Sequence, residues 1–269
     1  MNTADVSRQR LSACRLCNGA TREIFQQKIL DKYLVSYQRC EACDSLQTEE
    51  PYWIEEAYRD NLAPLDTGAA HRNLNNLAAS LLVATLFRCR NILDYGGGDG
   101  LLCRLLRDHG LNAYVDDKYG SPTYALAFTK PDFEAPDLVL SFEVFEHFEH
   151  PREELAKMFA MRPGAVFAST ELYREQTQIW WYLAPETGQH LFFYSARALR
   201  EIATAYGYQL LTVDSYHLFV RNGVTFGGRA FVLRRLLRSR MLRFLRIVPG
   251  FLPARGYAAD AEMLRSRAR

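Results

Sequence analysis

The run Ile92-Leu93-Asp94-Tyr95-Gly96-Gly97-Gly98-Asp99-Gly100 constrains the fold more than any other part of this chain. It has the pattern of an apolar strand that ends in an acid and turns through glycines into a helical segment. Glycines let the backbone approach a ligand, because a Cβ at those positions would collide with it. A helix N-terminus behind such a loop presents free N–H groups, as in nucleotide-binding α/β folds. A tight strand-to-helix turn would also need glycines, so the loop alone leaves that structural alternative open.

Further strands and a helix follow this loop in an order typical of an α/β sheet. The sequence predicts strands over 112–115, 137–142, 165–169, 209–213 and 216–221, and a helix over 195–206. Ser195 is the predicted N-cap of that helix, and Gly207 ends it. The first strand of this set closes on Asp116 and Asp117, and the second runs into Glu143.

These segments together resemble the class I S-adenosylmethionine (SAM)-dependent methyltransferases. The resemblance covers roughly residues 81–221, and its most specific parts are the glycine loop, PDLVLSFEVFEHFEHP from Pro136 and MRPGAVFAST from Met161. It implies a Rossmann-like sheet whose final strand is antiparallel. It also implies SAM as the cofactor.

The resemblance assigns several residues to the cofactor. Gly96, Gly98 and Gly100 would pass close to the amino-acid half of SAM. Asp94 would orient the loop or hold the SAM ammonium group through water, and the alternative is a carboxylate that only caps nearby N–H groups.

The acid after the second strand of the family accepts hydrogen bonds from both ribose hydroxyls, because a carboxylate offers two acceptor oxygens to a vicinal diol. Asp117 aligns best with this position and Asp116 is the second choice, so one of the two is a surface charge. Phe142, at the end of the next strand, and Arg72, in the upstream helical part, complete the predicted cofactor set.

The segment Glu143 to His147 resembles the E-V-L-E-H segment of small-molecule methyltransferases. It follows a strand at its carboxyl end, where ligands gather in open α/β sheets. Glu143 and His147 are therefore predicted to face the methyl-transfer site. The structural alternative is that Glu146 and His147 brace the following helix.

An aromatic insert lies between the strand at 165–169 and the helix at 195–206, in the connection that helps to form the substrate pocket of this fold. Its aromatic side chains suit a sugar or another ring, and half of them are expected in the core. They are Trp180, Trp181, Tyr182, Phe192, Phe193 and Tyr194.

Part of this insert is similar to bacterial sugar C-methyltransferases, which also begin with a cysteine-rich zinc segment and carry a Y-H-E-H-x-x-Y-F-S run here. His190 and Ser195 match that run, whereas Thr187, Gly188 and Gln189 replace its tyrosine, first histidine and glutamate. The missing carboxylate and tyrosine weaken proton abstraction from carbon. A sugar or glycan hydroxyl is therefore the expected acceptor, with His190 as the preferred general base and His147 as the second. The alternative is that His190 is a packed, hydrogen-bonded side chain.

Four of the six cysteines form two C-x-x-C pairs, Cys14 with Cys17 and Cys40 with Cys43. Two such pairs can complete a tetrahedral Cys₄ site, so we predict a structural Zn²⁺ ion in a zinc ribbon. The gap between the pairs is slightly longer than usual for this pattern, and a redox pair or a coincidence is the alternative. Cys89 and Cys103 are expected in the core.

Composition and patterning divide the chain into four parts. We predict a zinc ribbon over 1–50, a helical connector or lid over 51–88 with a break at Pro64, a SAM-binding domain over 89–222 and a basic amphipathic segment over 223–269. The N-terminal ten residues are polar and no apolar run is long enough to span a bilayer, which predicts a cytoplasmic protein.

The segment from Arg229 to Arg246 contains seven arginines and no acid, interleaved with leucine and phenylalanine at helical spacing. Such a helix can lie on an anionic membrane, which would put the protein at the periphery of the inner membrane. The commoner explanation is a helix docked on the catalytic domain. Nucleic acid is not an expected partner, because the sequence has no evident motif for stacking single-stranded bases.

The sequence thus predicts a SAM-dependent methyltransferase that acts on a sugar or surface-glycan hydroxyl. The runner-up substrates are RNA or another small molecule. A rival of another class is a catalytically silent SAM-binding or scaffold subunit.

Overall fold

The computed structural model describes residues 13–59 and 67–267. Its strands are β1 (Thr21–Ile29), β2 (Tyr33–Cys40), β3 (Leu46–Thr48), β4 (Asn91–Tyr95), β5 (Asn112–Asp116), β6 (Leu138–Phe142), β7 (Ala165–Ser169), β8 (Phe192–Phe193), β9 (Tyr208–Val213) and β10 (Tyr216–Arg221). Its helices are α1 (Ile54–Arg59), α2 (Ala69–Phe87), α3 (Leu101–Asp108), α4 (Pro151–Ala160), α5 (Ala196–Tyr206), α6 (Gly228–Leu236), α7 (Ser239–Leu245) and α8 (Gly256–Arg267). The polar N-terminal run and Pro64 lie outside the described residues.

The described chain divides into two compact units. The first consists of residues 13–59, 146–154 and 171–201, and the second of residues 67–145, 155–170 and 202–267. The sequence assigned residues 171–201, which comprise the insert and the start of α5, to the α/β part, whereas in the structure they group with the N-terminal strands. The physical reason is that β8 pairs with β3 through Phe193 and Leu46. The boundaries proposed at residues 50, 88 and 222 stay predictions.

The first unit is built on a four-stranded sheet with the order β1-β2-β3-β8, and every neighbouring pair in it is antiparallel. One core unites the N-terminal strands with the insert, because Val35 and Tyr37 of β2 cluster with Tyr182 and Phe193. Trp53 closes this core and donates a hydrogen bond from Nε1 to the carbonyl oxygen of Gly188 at 2.8 Å. The aromatic insert is thus a structural part of this unit.

The second unit is built on a six-stranded sheet with the order β5-β4-β6-β7-β10-β9. Strands β5, β4, β6 and β7 are parallel, and β10 runs antiparallel to both β7 and β9. The central strands are continuous apolar runs, as expected for strands that are covered on both faces. All five residues of β7 are buried. The predicted Rossmann-like methyltransferase sheet with an antiparallel final strand is confirmed.

The residues predicted to begin and end the helix after the insert do so in the structure. Ser195 caps α5, because its Oγ accepts a hydrogen bond from the backbone N–H of Ala198 at 2.9 Å. Gly207 ends the helix with φ of +78°, a left-handed conformation that glycine adopts without steric cost.

The basic C-terminal segment forms more than one helix. The apolar stripe expected over 229–246 is divided between α6 and α7, which are separated where Arg238 adopts an extended conformation with φ −61° and ψ 138°. Leu233, Leu237 and Leu242 are buried, so part of the stripe packs on the second unit. Within the described ranges, the helices are all too short or too polar to cross a bilayer.

Helix α8 is tied to α3 by a buried ion-pair network. Asp260 accepts hydrogen bonds from Nε and Nη2 of Arg107 at 2.8 and 2.6 Å, and from Nη2 of Arg104 at 2.7 Å. The guanidinium of Arg107 also lies over the ring of Phe128, with its carbon 3.6 Å from the ring centroid. Removing the carboxylate would leave a buried guanidinium without its charged partner.

We therefore expect Asp260→Asn to lower the free energy of unfolding by about 3 kcal/mol. Glu262→Gln, an exposed change on the same helix, should stay within about 0.5 kcal/mol. Burial raises the pKa of Asp260, but the hydrogen bonds from Arg107 and Arg104 outweigh it and leave the pKa below its usual value. The stabilisation is thus present at neutral pH and is lost as the pH falls below about 4. Urea unfolding near pH 7 and at about pH 2 tests this. Equal effects of both variants near pH 7 would contradict it.

Candidate functional site

The glycine loop of the second unit follows β4 and leads into α3. Gly96 has φ of +75° and donates a hydrogen bond from its N–H to the carbonyl oxygen of Asp116 at 2.7 Å. A Cβ on Gly96 would lie 2.6 Å from a methyl carbon of Val144, so this position admits no larger residue without a shift. Gly98 has φ of +55°, and a Cβ there would meet no atom within 4 Å. The loop therefore has open space beside Gly98, as a ligand would require.

Asp94 lies buried at the end of β4, beneath the loop. Its Oδ2 has no hydrogen-bond partner within the described part of the chain, and a Cβ on Gly97 would lie 2.5 Å from that atom. Burial and the nearby charge of Asp117 raise the pKa of Asp94 to about 7. A hydrogen bond from the backbone N–H of Cys103 opposes this rise by favouring the charged carboxylate. Asp94 thus contacts an N–H of α3, as the capping alternative predicts, and still has an acceptor oxygen to offer.

The two acids at the end of β5, Asp116 and Asp117, differ in their surroundings. The carboxylate of Asp117 accepts hydrogen bonds from the N–H groups of Gly98 and Tyr119, both at 2.8 Å, and from that of Gly120. Asp116 is the last residue of β5, and its side chain is exposed. Sequence reasoning did not predict the backbone contact between Asp117 and the glycine loop. That contact uses acceptor capacity that a ribose diol would otherwise take.

Glu143 follows β6 at the same edge of the sheet. Its φ of +55° is uncommon for a residue with a side chain, and such strain is typical of functional sites. Ser169 at the end of β7 donates a hydrogen bond from Oγ to Oε1 of Glu143 at 2.6 Å. Phe142 is partly buried, with its ring edge-on to Phe167 at 5.2 Å between centroids. Arg72 is exposed in the first turn of α2.

A histidine cluster forms in the first unit. The rings of His147 and His190 pack edge-to-face with centroids 4.9 Å apart. Tyr58 on α1 contacts Nδ1 of His147 through its hydroxyl at 3.2 Å. Tyr182 donates a hydrogen bond from its hydroxyl to Oε1 of buried Glu146 at 2.7 Å. One ligand atom each from Glu146, His147 and His190 lie within 4.8 Å of one another, a spacing that would also suit a metal ion.

The hydrogen bonds of this cluster determine which nitrogen can act as a base. Nδ1 of His190 lies 2.7 Å from the carbonyl oxygen of Tyr182. Because a carbonyl oxygen only accepts, Nδ1 carries the proton, and the lone pair of a neutral ring lies on Nε2. Burial and the neighbouring His190 lower the pKa of His147 to about 3, so His147 is neutral at physiological pH.

Most aromatic residues of the insert belong to the core. Tyr182, Phe192, Phe193 and Tyr194 are buried, whereas Trp180 is partly buried and Trp181 is 73% exposed. Within the insert itself, only the two tryptophans therefore expose ring surface for stacking on a ligand.

Two positions at which this chain differs from the sugar C-methyltransferase run, Gly188 and Gln189, are fixed by packing and by a backbone hydrogen bond. Gln189 donates a hydrogen bond from Nε2 to the carbonyl oxygen of Ala57 at 2.8 Å. Gly188 has φ of +65°, and a Cβ there would lie 2.8 Å from a methyl carbon of Ile29. A histidine at position 188 would therefore not fit this backbone.

The sequence did not indicate two contacts of the cluster: the contact of Tyr58 with His147, and the hydrogen bond of Tyr182 to Glu146. Tyr58 lies 89 residues before His147, and its helix has no motif that indicates a site. The E-V-F-E-H resemblance named Glu146 only as a brace for the following helix. Its bond to Tyr182 links it to the insert instead.

The four predicted zinc ligands converge in the first unit. Sγ of Cys14 lies 3.8 Å from Sγ of Cys43, and Sγ of Cys17 lies 3.4 Å from Sγ of Cys40. All four sulfur atoms lie within 4.8 Å of one another, and none is in a disulfide. A tetrahedral ion with Zn–S bonds of about 2.3 Å requires sulfur atoms just under 4 Å apart. The cluster therefore fits a zinc ion.

The backbone around the cysteines has the same shape in both knuckles. Asn18 and Asp44, each four residues after the first cysteine of its pair, have φ of 62° and 60°. The N–H of each residue donates to the carbonyl oxygen of that first cysteine. Gly19 permits the knuckles to meet, because a Cβ there would lie 2.6 Å from Cβ of Ala42.

Comparisons with known proteins identify the family. A family model described as a methyltransferase domain matches residues 58–213. A 1,6-didemethyltoxoflavin-N1-methyltransferase of Burkholderia thailandensis aligns with 74% of this chain and 96% of its own, at 15% identity and a TM-score of 0.46. Magnesium protoporphyrin IX methyltransferase of Synechocystis PCC 6803 aligns with 63% of this chain and 93% of its own, at 14% identity and a TM-score of 0.43. No curated protein matches the chain by sequence.

Both solved structures are too distant to bear on the substrate. The family model, however, spans more than half of the 269 residues and contains the glycine loop, both acids at the end of β5 and the histidine cluster. The chain therefore belongs to the methyltransferase-domain family, in agreement with its resemblance to class I SAM-dependent methyltransferases.

Proposed function

We propose that this protein transfers a methyl group from SAM to a hydroxyl of a sugar or surface glycan, with His190 as the general base. The observation that carries the proposal is the hydrogen bond of 2.7 Å between Nδ1 of His190 and the carbonyl oxygen of Tyr182. It fixes the tautomer whose Nε2 can accept a proton. A base with an imidazole works at neutral pH, which suits an alcohol acceptor.

The residues of the glycine loop fit SAM. The space beside Gly98 admits a ligand, and buried Asp94 has an acceptor oxygen for a cation such as the SAM ammonium group. Asp116 or Asp117 would hold the ribose hydroxyls, and Gly96 and Gly100 would shape the loop. When bound, SAM supplies an electrophilic methyl group on a sulfonium, so the protein needs to supply only alignment and a base.

The side chains of the histidine cluster would then handle the proton. Nε2 of His190 would accept the proton of the acceptor hydroxyl during a transfer in which a methyl–oxygen bond replaces the methyl–sulfur bond of SAM. His147 stays neutral, because burial and His190 depress its pKa to about 3. It therefore orients the site through Tyr58 and does not compete for the proton. Glu143, held by Ser169, would position the acceptor or the cofactor.

A sugar acceptor is favoured by the aromatic surface of the insert. Trp181 is 73% exposed and follows the partly buried Trp180. Flat aromatic faces stack on the apolar faces of sugar rings. The absence of a carboxylate at position 189, where glutamine binds the backbone of Ala57, favours transfer to oxygen over transfer to carbon.

We further propose that the four cysteines hold a structural Zn²⁺ ion. The cluster is closed, because all four tetrahedral positions would be taken by protein ligands. Its role would be to stabilise the first unit.

Gly98→Ala tests the cofactor site. A Cβ at Gly98 would enter the open space of the loop, so we expect SAM affinity to fall about tenfold or more, a loss of about 1.4 kcal/mol. Gly110→Ala is the matched control, because Gly110 also has a positive φ and open space at its Cβ but lies after α3. Its SAM affinity should stay within about twofold of the wild type. Calorimetric titration with SAM measures the affinity of both variants, and NAD serves as the negative control. The proposal would be overturned if the folded wild-type protein did not bind SAM.

His190→Ala tests the base. Loss of a general base should lower turnover by about 10²–10⁴-fold while SAM affinity stays unchanged. His150→Ala, an exposed histidine of the same unit, should retain full turnover. Transfer of labelled methyl from SAM to a panel of nucleotide sugars and glycans gives the rates. Full turnover in His190→Ala would make His190 a packing residue.

Metal analysis tests the cysteine cluster. We expect the purified protein to carry about one zinc ion per chain, because one Cys₄ cluster holds one ion. Cys43→Ser should lose zinc and melt at a lower temperature, since metal affinity contributes to folding. Cys89→Ala, a buried cysteine outside the cluster, should keep the metal. Zinc-free wild-type protein with unchanged thermal stability would contradict the zinc proposal.

A further inference from the structure

The C-terminal part of the second unit contains a long stretch with arginines and no acid. Between Asp214 and Asp260 the chain has nine arginines and neither lysine, aspartate nor glutamate. These arginines are Arg221, Arg229, Arg234, Arg235, Arg238, Arg240, Arg243, Arg246 and Arg255. The whole chain has a net charge of only +2, so this positive charge is local.

The backbone remains right-handed and helical beyond the end of α7. Arg246 has φ −61° and ψ −15°, and Ile247 has φ −79° and ψ −29°. A 3-10 turn over Val248–Phe251 follows directly. Residues 239–251 therefore form one continuous helical segment, in which side chains three, four and seven residues apart share a face.

One face of this segment is apolar and exposed. Phe244, Ile247, Val248 and Phe251 follow the spacing of three, four and seven residues, so they lie within an arc of roughly 100°. Phe244 is 68% exposed and Phe251 is 84% exposed. The opposite face contains Leu242 and Pro249, both buried. The segment is thus already docked through its inner face, and its outer apolar row takes no part in the core.

Arginines border this row. Arg240 precedes Phe244 by one helical turn, and Arg243 adjoins it; both side chains are exposed. Helix α6 repeats the pattern, because Phe231 is 72% exposed and is followed one turn later by exposed Arg234 and Arg235. We call these exposed residues the arginine–phenylalanine surface: Phe231, Arg234, Arg235, Arg240, Arg243, Phe244, Ile247, Val248 and Phe251.

We propose that the arginine–phenylalanine surface docks on an anionic lipid bilayer. Phenylalanine and aliphatic side chains insert at the boundary of headgroups and acyl chains, and each arginine near the surface adds about 1 kcal/mol of attraction to anionic lipid. Charge complementarity selects this occupant. A second copy of the chain in a symmetric dimer would bring arginines against arginines. A nucleic acid would pair with the arginines but leave Ile247 and Val248 exposed to water.

This docking goes beyond the proposed methyl transfer and does not depend on it. It would bring the protein to acceptors that are anchored in a membrane. Its test uses lipid binding as the readout, so it can fail or succeed independently of SAM binding and turnover.

Co-sedimentation of the full chain with vesicles tests the proposal. We expect binding to vesicles that contain phosphatidylglycerol, weaker binding to pure phosphatidylcholine, and a loss of binding at high salt. Phe244→Ser/Phe251→Ser should weaken binding about tenfold or more, because two apolar anchors are lost. Leu34→Ser/Leu126→Ser, which removes two exposed leucines elsewhere, should have no effect.

A second pair of variants tests the charge. Arg240→Gln/Arg243→Gln should weaken binding to the anionic vesicles about 30-fold, because two contributions of about 1 kcal/mol are lost. Arg22→Gln/Arg88→Gln removes the same charge from exposed positions elsewhere and should leave binding unchanged. Circular dichroism and thermal unfolding verify that every variant folds. The proposal fails if the wild type ignores anionic vesicles, if the control pairs weaken binding as much as the test pairs, or if the chain binds an RNA homopolymer and no vesicle.

Discussion

The side chain of Arg15 joins the parts of the first unit on which the candidate chemistry depends. Its guanidinium donates hydrogen bonds to the carbonyl oxygens of Leu191 at 2.7 Å, Thr48 at 3.1 Å and Glu149 at 3.3 Å. Burial lowers the pKa of Arg15 to about 10, which still leaves it charged at neutral pH. One cation in the first cysteine knuckle therefore holds β3, the insert and the segment after His147. Loss of its donors would remove a charged hydrogen-bond donor from all three carbonyl oxygens.

The histidine cluster follows from this arrangement. His190 directly precedes Leu191, whose N–H donates a hydrogen bond to the carbonyl oxygen of Glu146 at 2.7 Å. His147 directly follows Glu146, so this one backbone hydrogen bond holds the two histidines near each other. The position of the proposed base thus depends on contacts with the cysteine-rich segment of the same unit. In this chain the cysteine-rich segment and the aromatic insert belong to one structural unit.

The candidate cofactor loop depends on local contacts within the second unit. The Cα of Gly96 lies too close to the methyl groups of Val144 for a side chain, and Gly98 donates its N–H to Asp117. Both contacts connect residues that follow neighbouring parallel strands. Such residues lie at the same edge of the sheet. A motif of nine residues could therefore indicate the loop, because the chemistry and the geometry are both local.

The sequence alone determined the features whose cause is local: the parallel sheet, the glycine loop after β4, the cap of α5 at Ser195 and the convergence of four cysteines at two knuckles. Each of these rests on residues within a few positions of one another, or on a spacing with one common geometry. Only the tertiary structure decided the partners of distant residues. It brought Tyr58 into contact with His147 across 89 positions. It also buried one row of apolar residues in the basic C-terminal segment and left another row exposed. Periodicity shows that a helix has an apolar side, but which apolar residues are covered depends on what packs against them.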